Sequence, residues 1–138
     1  MKTDEERLKR FLTGQTGVYT VAAELSAQKY IVNVTSRNAP GVDIIASTLD
    51  LKKTFTIQVK ANVSDGTQSF WLMNKDSQKL ISPNLFYVFV NFRKDEKPDF
   101  YVVESSIVAQ NVDVDKNGNW HSFDRDEKHK DRWDLLKQ

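Results

Sequence analysis

Two groups of polar residues on neighbouring predicted strands have the types and spacing needed for metal-dependent hydrolysis. Asp43 lies in the apolar segment 42–46, and Gln58 and Lys60 follow after fourteen intervening residues, in the segment 55–60. Because strand side chains alternate between faces, Gln58 and Lys60 point the same way while their apolar neighbours point into the core. If the two strands pair, a carboxylate, an amide oxygen and an ammonium converge. The carboxylate can hold a hard divalent cation and the ammonium can stabilise charge during attack on a phosphodiester.

The composition limits the classes of function that remain. A chain of 138 residues is long enough for one domain with a buried core. Its 20 basic and 19 acidic residues leave a net charge of +1, so a DNA-binding surface must be local or assembled by dimerisation. The sequence contains no cysteine, which excludes disulfides, zinc-thiolate sites and thiol catalysis.

The sequence also predicts a cytoplasmic protein with no membrane partner. No apolar run approaches the roughly 20 residues of a membrane span. Residues 1–6 are mostly polar and charged and lack the apolar core of a signal peptide. The lack of cysteine fits a reducing compartment.

Two helices are expected before the first strand. Thr3 and Glu6 have the spacing of a capping box, which predicts a short helix from residue 4 to about residue 12. Gly14 is predicted to end this helix, and Thr16 to cap a second one. The second helix has apolar residues at helical spacing, with Glu24 beside that stripe: Val18, Val21, Ala22 and Leu25.

The rest of the chain predicts strands followed by a last helix. Strands are expected at 30–34, 42–46, 55–60, 85–92 and 100–103, with a turn at 38–41, and the segment 61–79 is expected to be irregular apart from the apolar run 70–73. The segment 85–92 is nearly continuous in apolar and aromatic residues, which predicts a central strand covered on both faces. Asp124 and Glu127 repeat the capping-box spacing, so a final helix should begin there and dock Trp133 and Leu136. The expected fold is α/β, with a central mixed sheet and helices on both faces.

The ordered set Glu24, Asp43 and Gln58-x-Lys60 resembles the PD-(D/E)xK nuclease superfamily, which has the restriction-endonuclease-like fold. The runs Gly41-Val42-Asp43-Ile44 and Ile57-Gln58-Val59-Lys60 look like the branch in which glutamine replaces the second acid, as in Mrr-type methylation-dependent restriction enzymes. The resemblance covers roughly the first hundred residues, and we expect one domain over residues 1–138. Its nuclease-like core would span about 14–105, and a C-terminal hairpin and helix would occupy 106–138.

The resemblance also implies roles for individual residues. Asp43 would be the central metal ligand, with the Gln58 side-chain oxygen and the Val59 carbonyl as further ligands and Glu24 as an outer ligand. Lys60 would position the nucleophilic water or stabilise the developing negative charge. The implied cofactor is Mg²⁺ or Mn²⁺, and the implied activity is endonucleolytic hydrolysis of DNA. So small a domain would act as a homodimer, within a larger complex, or with low sequence specificity.

The chain departs from the family pattern at two positions. Pro40 stands three residues before Asp43 instead of directly before it, and Gln58 is neutral. Only Asp43 and Glu24 then carry charge among the implied ligands, which weakens divalent binding. A second interpretation follows, in which the domain keeps this fold without catalysis and binds nucleic acid or a protein partner.

Other motifs compete for a function. Residues 113–124 nearly match a calcium-binding EF-hand loop, but Asn117-Gly118 between apolar flanks is more typical of a β-hairpin turn. His121 and His129 with Asn117 only loosely resemble an HNH nuclease, and exposed histidines without a ligand role are favoured. Trp71 is expected in the core, with base stacking as the alternative. Phosphate contacts are expected from basic residues near the strands: Lys52, Lys53, Lys75, Lys79, Arg93 and Lys94.

Overall fold

The computed structural model describes residues 2–36, 41–64 and 68–137. Most of the predicted turn at 38–41 therefore lies outside the described residues. No helix within these ranges is long and apolar enough to cross a membrane.

A single long helix, α1 (Asp4–Ala27), precedes the first strand. The Thr3 hydroxyl oxygen accepts a hydrogen bond from the Glu6 N–H at 3.1 Å, so the predicted N-cap is confirmed. The predicted break at Gly14 is wrong, because the helix continues through it. A glycine inside a helix costs about 1 kcal/mol relative to alanine, and burial of Val21 and Leu25 further along α1 offsets that loss. Thr16 donates to the Leu12 carbonyl at 2.7 Å instead of capping a second helix.

The central sheet contains five strands and is mixed. Its members are β1 (Ile31–Val34), β2 (Ile44–Ser47), β3 (Thr54–Val63), β5 (Leu85–Phe92) and β6 (Asp99–Glu104), in the order β1-β2-β3-β5-β6. Strands β3 and β5 are parallel, and the other three pairs are antiparallel. Strand β5 lies between two partners and is buried along most of its length, which confirms the predicted central strand. The α/β class with a mixed sheet is therefore correct.

A second, three-stranded sheet was absent from the expected fold. It contains β4 (Phe70–Met73), β7 (Asp113–Val114) and β8 (His121–Asp124), in the order β4-β8-β7. A short helix, α2 (Ser105–Asn111), follows β6 directly. Helices lie on both faces of the central sheet, as expected, but on one face α2 shares this role with the small sheet. Helix α1 covers one face of the central sheet, while the small sheet and α2 cover the other.

The predicted C-terminal helix is wrong. Asp124 is the last residue of β8 and pairs with Phe70 of β4, so strand pairing overrides the local capping signal. Short 3₁₀ helices follow at Glu127–His129 and Trp133–Lys137. Trp133 and Leu136 still dock into the core beside α1, as predicted. Docking depends on their apolar side chains and not on the helix type that carries them.

The two faces of the central sheet form separate cores. On the α1 face, alternate residues of β3 pack against the apolar stripe of α1. An added Cβ at Gly17 would lie 2.7 Å from the Ala61 Cβ, so glycine lets α1 approach β3 closely at that point. The opposite core is aromatic and includes Trp71, whose indole N–H donates to the Val90 carbonyl at 2.9 Å. The predicted burial of Trp71 is confirmed.

Candidate active site

Asp43 lies where β2 and β3 separate. Ile44 pairs with Ile57, so an unbroken ladder would place Asp43 opposite Gln58. Instead the Asp43 N–H donates to the Ile57 carbonyl at 2.9 Å, one residue out of register. The Asp43 Oδ2 accepts a hydrogen bond from the Val59 N–H at 2.8 Å. A side-chain carboxylate thus takes a main-chain donor of β3, and its second oxygen, Oδ1, makes no hydrogen bond within the described chain.

The Val59 carbonyl belongs to the same edge of β3. In a strand, the N–H and C=O of one residue point to the same neighbouring strand. Because the Val59 N–H points at Asp43, its carbonyl also faces the side from which β2 has separated. Two oxygen atoms of the predicted ligand set, from Asp43 and Val59, therefore lie on one side of β3.

Gln58 and Lys60 share the opposite face of β3 from Val59, as the alternation predicts. Their partners in the register of β5 are Tyr87 and Phe89. The Gln58 Oε1 is buried and has no hydrogen-bond partner among the described residues. An unpaired buried acceptor costs about 1–3 kcal/mol. Binding of an external ligand by the amide oxygen would remove that cost.

Asp43 and Lys60 influence each other electrostatically. Burial raises the pKa of Asp43, while the Val59 hydrogen bond and the Lys60 charge lower it. Burial lowers the pKa of Lys60, the Asp43 charge raises it, and the Arg10 charge lowers it further. In both groups burial is the largest cause, so the charged forms are incompletely stabilised by the protein alone. Lys60 makes no hydrogen bond or salt bridge with any described residue.

Glu24 lies elsewhere on α1. The groove that contains Asp43 and Gln58 is lined by the N-terminal half of the helix, including Arg10 and Gln15. A helix rises 1.5 Å per residue, so Glu24 is about 13 Å further along the axis than Gln15. Its carboxylate accepts a hydrogen bond from the Gln28 side chain at 3.3 Å. The structure therefore brings Asp43, Gln58, Val59 and Lys60 together and leaves Glu24 outside the groove.

Gln15 is the helix residue that sequence reasoning missed. It is half-buried and lines the groove beside Asp43, and its amide donates to the Tyr19 hydroxyl at 2.8 Å. Its spacing of three residues before Val18 puts it on the same face as the apolar stripe. That spacing was visible in the sequence, but the expected break at Gly14 concealed it.

The basic residues divide into two groups. Lys75 and Lys79 line a cleft together with Gln58 and Lys60, as predicted. Arg93 instead pairs with Glu96 at 2.8 Å and with Asp99 at 3.0 Å. Lys53 and Lys94 lie towards opposite ends of the parallel β3–β5 pair, with seven and five residues separating them in register from Lys60. At about 3.3 Å per residue they are more than about 15 Å from the site.

The acidic loop at 113–124 forms the predicted hairpin. Strands β7 and β8 pair across it, and Gly118 adopts a positive φ of 72°. The Asp115 Oδ1 accepts hydrogen bonds from the Asn119 N–H at 2.8 Å and the Trp120 N–H at 3.1 Å. This carboxylate stabilises the turn, which makes it a poor candidate for a calcium ligand.

Both histidines are associated with β8, the second strand of this hairpin. His121 is buried in β8, against the expectation of an exposed side chain, because it pairs with Met73 in the small sheet. His129 is half-buried in a 3₁₀ helix and its ring lies near that of Phe123. Across residues 2–36, 41–64 and 68–137, no group of three or more His, Asp or Glu side chains could hold a metal.

The donor set at Asp43 suits a hard cation that keeps several waters. Magnesium binds proteins through one or two carboxylates together with other oxygen ligands and water. Asp43 Oδ1, Gln58 Oε1 and the Val59 carbonyl are oxygen atoms of that kind. No family model matches the chain, and comparison with curated proteins finds no match to its sequence.

Proposed function

We propose that this chain is a metal-dependent endonuclease that hydrolyses DNA phosphodiester bonds, with a PD-(D/E)xK-type site on a restriction-endonuclease-like fold. One observation carries the proposal. The Asp43 carboxylate, the unpaired Gln58 oxygen and the Lys60 ammonium meet where β2 and β3 separate. Because the β2–β3 ladder ends at the Ile44–Ile57 pair, the Val59 carbonyl lies beyond the main-chain pairing with β2.

Asp43, Gln58 and the Val59 carbonyl would hold Mg²⁺ or Mn²⁺. The bound ion would supply Lewis acidity and a water of lowered pKa at the phosphate. Asp43 is oriented for this role because its Oδ2 is fixed by the Val59 N–H, while Oδ1 makes no hydrogen bond within the described chain. Glu24 has no part in the proposal.

Lys60 would stabilise the charge that develops on the phosphate oxygens. Its ammonium has no ion-pair partner in the described chain, so its three donors are free to contact substrate. A partly desolvated ammonium interacts more strongly with a phosphate than a fully hydrated one does. The Asp43 charge nearby favours the protonated form of Lys60.

Local positive charge supports DNA as the substrate. On α1, Arg7 pairs with Asp4 and Lys9 pairs with Glu5. Arg10 forms no ion pair with any described residue and lines the grooves on both sides of Val59. Together with Lys75 and Lys60 it gives the site a positive surface that the net charge of the chain conceals.

A cleavage assay tests the proposal. Supercoiled and linear DNA are incubated with the protein in magnesium, manganese or EDTA, beside Asp43→Ala and Lys60→Ala. Asp113→Ala and Lys9→Ala serve as matched controls of the same residue types. We expect metal-dependent cleavage that both site variants abolish and both controls retain. Cleavage that survives either site substitution would show that the assignment is wrong.

One observation favours a second candidate, a domain that binds nucleic acid without cutting it. With Gln58 neutral and Glu24 outside the groove, Asp43 is the single carboxylate among the proposed ligands. DNA binding with no cleavage in any metal would favour this candidate.

Cutting both strands of a duplex would require two sites, so we also propose that the active form is a homodimer. Light scattering of the protein with and without DNA measures that mass.

A further inference from the structure

A cleft lies beside Lys60, between β3 and the 3₁₀ helix Lys75–Gln78. Its volume is about 670 Å³, and its walls include Gln58, Lys60, Lys75, Ser77, Leu80 and Tyr87. Pockets that bind small organic ligands typically measure roughly 300–1,000 Å³. The cleft is thus large enough for a single nucleotide.

The interior of the cleft contains polar atoms without partners. The Ser77 side chain is 5 % exposed, and its buried hydroxyl makes no hydrogen bond. Tyr87 is 2 % exposed, and no described residue bonds to its hydroxyl. Buried polar groups normally have partners, and one left unpaired costs about 1–3 kcal/mol. The buried Ser77 hydroxyl and the buried Gln58 amide oxygen therefore favour a ligand with hydrogen-bonding edges, and the Tyr87 hydroxyl lines the same cleft and can contact that ligand.

The rim and the walls define the rest of that ligand. Three lysines, Lys60, Lys75 and Lys79, border the cleft against the single carboxylate of Asp76. The Lys79 ammonium is 4.0 Å from the Asp76 carboxylate, a weak and exposed ion pair. Leu80 and the Tyr87 ring supply apolar wall. The expected ligand has an anionic group at the rim and a flat group with polar edges inside the cleft. A nucleotide has both features.

We infer that this cleft holds one unpaired nucleotide of a DNA strand, with its base between Leu80 and Tyr87 and its phosphate near Lys75. The inference rests on the proposed function and names its substrate class. Gln58 lines the cleft and the groove that contains Asp43, and Lys60 lines the cleft and the second groove beside Arg10, so a base in the cleft belongs to a nucleotide next to the phosphate at Lys60.

The substrate class follows from the size of the cleft. A base pair is too wide for a space that fits one nucleotide, so the base must leave the stack before it enters. Unpairing costs a few kcal/mol in a duplex and least where the base is mismatched or already single-stranded. DNA with an unpaired nucleotide is therefore preferred over perfect duplex.

A binding experiment in EDTA tests this inference separately from cleavage. Three labelled duplexes are compared by fluorescence anisotropy: one fully paired, one with a single unpaired nucleotide, and one with an abasic unpaired site. The protein should bind the unpaired nucleotide about tenfold more tightly than either other duplex, since two added hydrogen bonds supply about 1.4 kcal/mol. Free deoxynucleoside monophosphates serve as a fourth ligand and should bind more weakly.

The variants remove the two hydroxyls. Ser77→Ala combined with Tyr87→Phe should reduce the preference to about twofold or less, as each hydrogen bond contributes about 0.7 kcal/mol, half of the tenfold preference. Tyr101→Phe is the matched control, because its hydroxyl bonds to Glu127 at 3.2 Å, away from the cleft. If the double variant does not fold by circular dichroism, Tyr87→Phe alone should still lose part of the preference.

The outcomes separate the two proposals. Equal affinity for the three duplexes, equal affinity for the abasic and complete unpaired sites, or tighter binding of free monophosphates each overturns the inference. An undiminished preference in folded Tyr87→Phe and in the folded double variant overturns it as well. Base-dependent binding without metal-dependent cleavage supports the cleft and contradicts the nuclease proposal. Cleavage without any base preference does the reverse, and no DNA binding at all overturns both.

Discussion

The two acidic regions of this protein differ in what their oxygens contact. In the hairpin, one oxygen of Asp115 accepts two backbone hydrogen bonds. At the strand junction, Asp43 accepts one bond from Val59 and leaves Oδ1 without a partner in the described chain. In sequence the hairpin also resembled a metal site, with three aspartates and a glycine at nearly the required spacing, although a hairpin turn was favoured there. Spacing alone cannot say whether a carboxylate is already engaged by its own backbone.

The surroundings of the two regions differ in the same way. Around Asp43 the other polar groups also lack partners, namely the Gln58 oxygen and the Lys60 ammonium. At the hairpin, burial raises the pKa of Asp124, and the charge of the nearby Asp113 and a hydrogen bond with its side chain raise it further. Acceptor and donor groups that lack hydrogen-bond partners therefore indicate a functional site better than a cluster of acidic residues does.

The largest effect that separates the regions is on cleavage. Asp43→Asn should lower magnesium-dependent cleavage by at least about 100-fold, because metal ions supply several kcal/mol to such reactions. Asp113→Asn should leave the rate unchanged. Magnesium titration followed by amide chemical shifts should move the Val59 signal and leave Asn119 and Trp120 in place. Chemical-shift changes confined to the hairpin would indicate that magnesium binds there and not at Asp43.

A second substitution concerns stability alone. Asp115→Ala should lower the free energy of unfolding by about 1 kcal/mol, because two charge-assisted backbone bonds in the turn are lost. Urea unfolding measures this change, and cleavage should be unaffected. Asp113→Ala is the control, since it removes a like charge next to Asp124 and should not destabilise the protein. A neutral result for Asp115→Ala would mean that the turn does not depend on its carboxylate.

A smaller effect is expected from a single phosphate contact. Arg10→Ala should weaken DNA binding roughly fivefold to tenfold and reduce the slope of log affinity against log salt by about 0.9. Lys9→Ala should change neither quantity, because that ammonium already pairs with Glu5 at 3.1 Å. Anisotropy titrations between low and moderate salt measure both slopes. Equal slopes for the two variants would mean that Arg10 does not contact a DNA phosphate.

The smallest effect is a pH-dependent difference in stability. Burial raises the pKa of Asp43 above its ordinary value of 3.8, so the folded state holds that proton more tightly than the unfolded state does. As pH rises from below 3.8 through the raised value, wild type should lose stability relative to Asp43→Asn. Asp50 has the opposite sign, because the Thr48 hydroxyl and the Lys52 N–H lower its pKa. As pH rises through the lowered pKa of Asp50 towards 3.8, wild type should therefore gain stability relative to Asp50→Asn.

Melting temperatures from pH 3 to 7 give both difference curves. Curves of the same sign for Asp43→Asn and Asp50→Asn would contradict the opposite environments of the two carboxylates. A pH-independent difference for Asp43→Asn would mean that its carboxyl titrates alike in the folded and unfolded states.

Local patterns predicted several elements correctly. The continuous apolar run of β5, the Thr3 cap and the Asn117-Gly118 turn are short-range signals, and all three were confirmed. Errors occurred where long-range packing outweighed a local signal. Helix α1 continues through Gly14 because its later turns pack on β3, and Asp124 extends β8 because Phe70 pairs with it.

The candidate site shows the same division. Alternation along β3 was enough to place Gln58 and Lys60 on one face, since it is a property of any strand. Glu24 was included because it preceded Asp43 on a helix, but its position along the axis depends on how α1 lies across the sheet. The groove is instead completed by Arg10 and Gln15, which an assumed break in α1 had hidden.

The sequence by itself determined the strands of the central sheet, their alternating faces and the aspartate that precedes β2. Only the tertiary structure decided that β2 and β3 separate at Asp43, that Val59 donates to its carboxylate, and that the 3₁₀ helix Lys75–Gln78 walls a cleft beside Lys60. The physical reason is the range of the forces involved. Periodicity is set by bonds between near neighbours, whereas register, helix placement and unpaired oxygens depend on contacts between residues far apart in the chain.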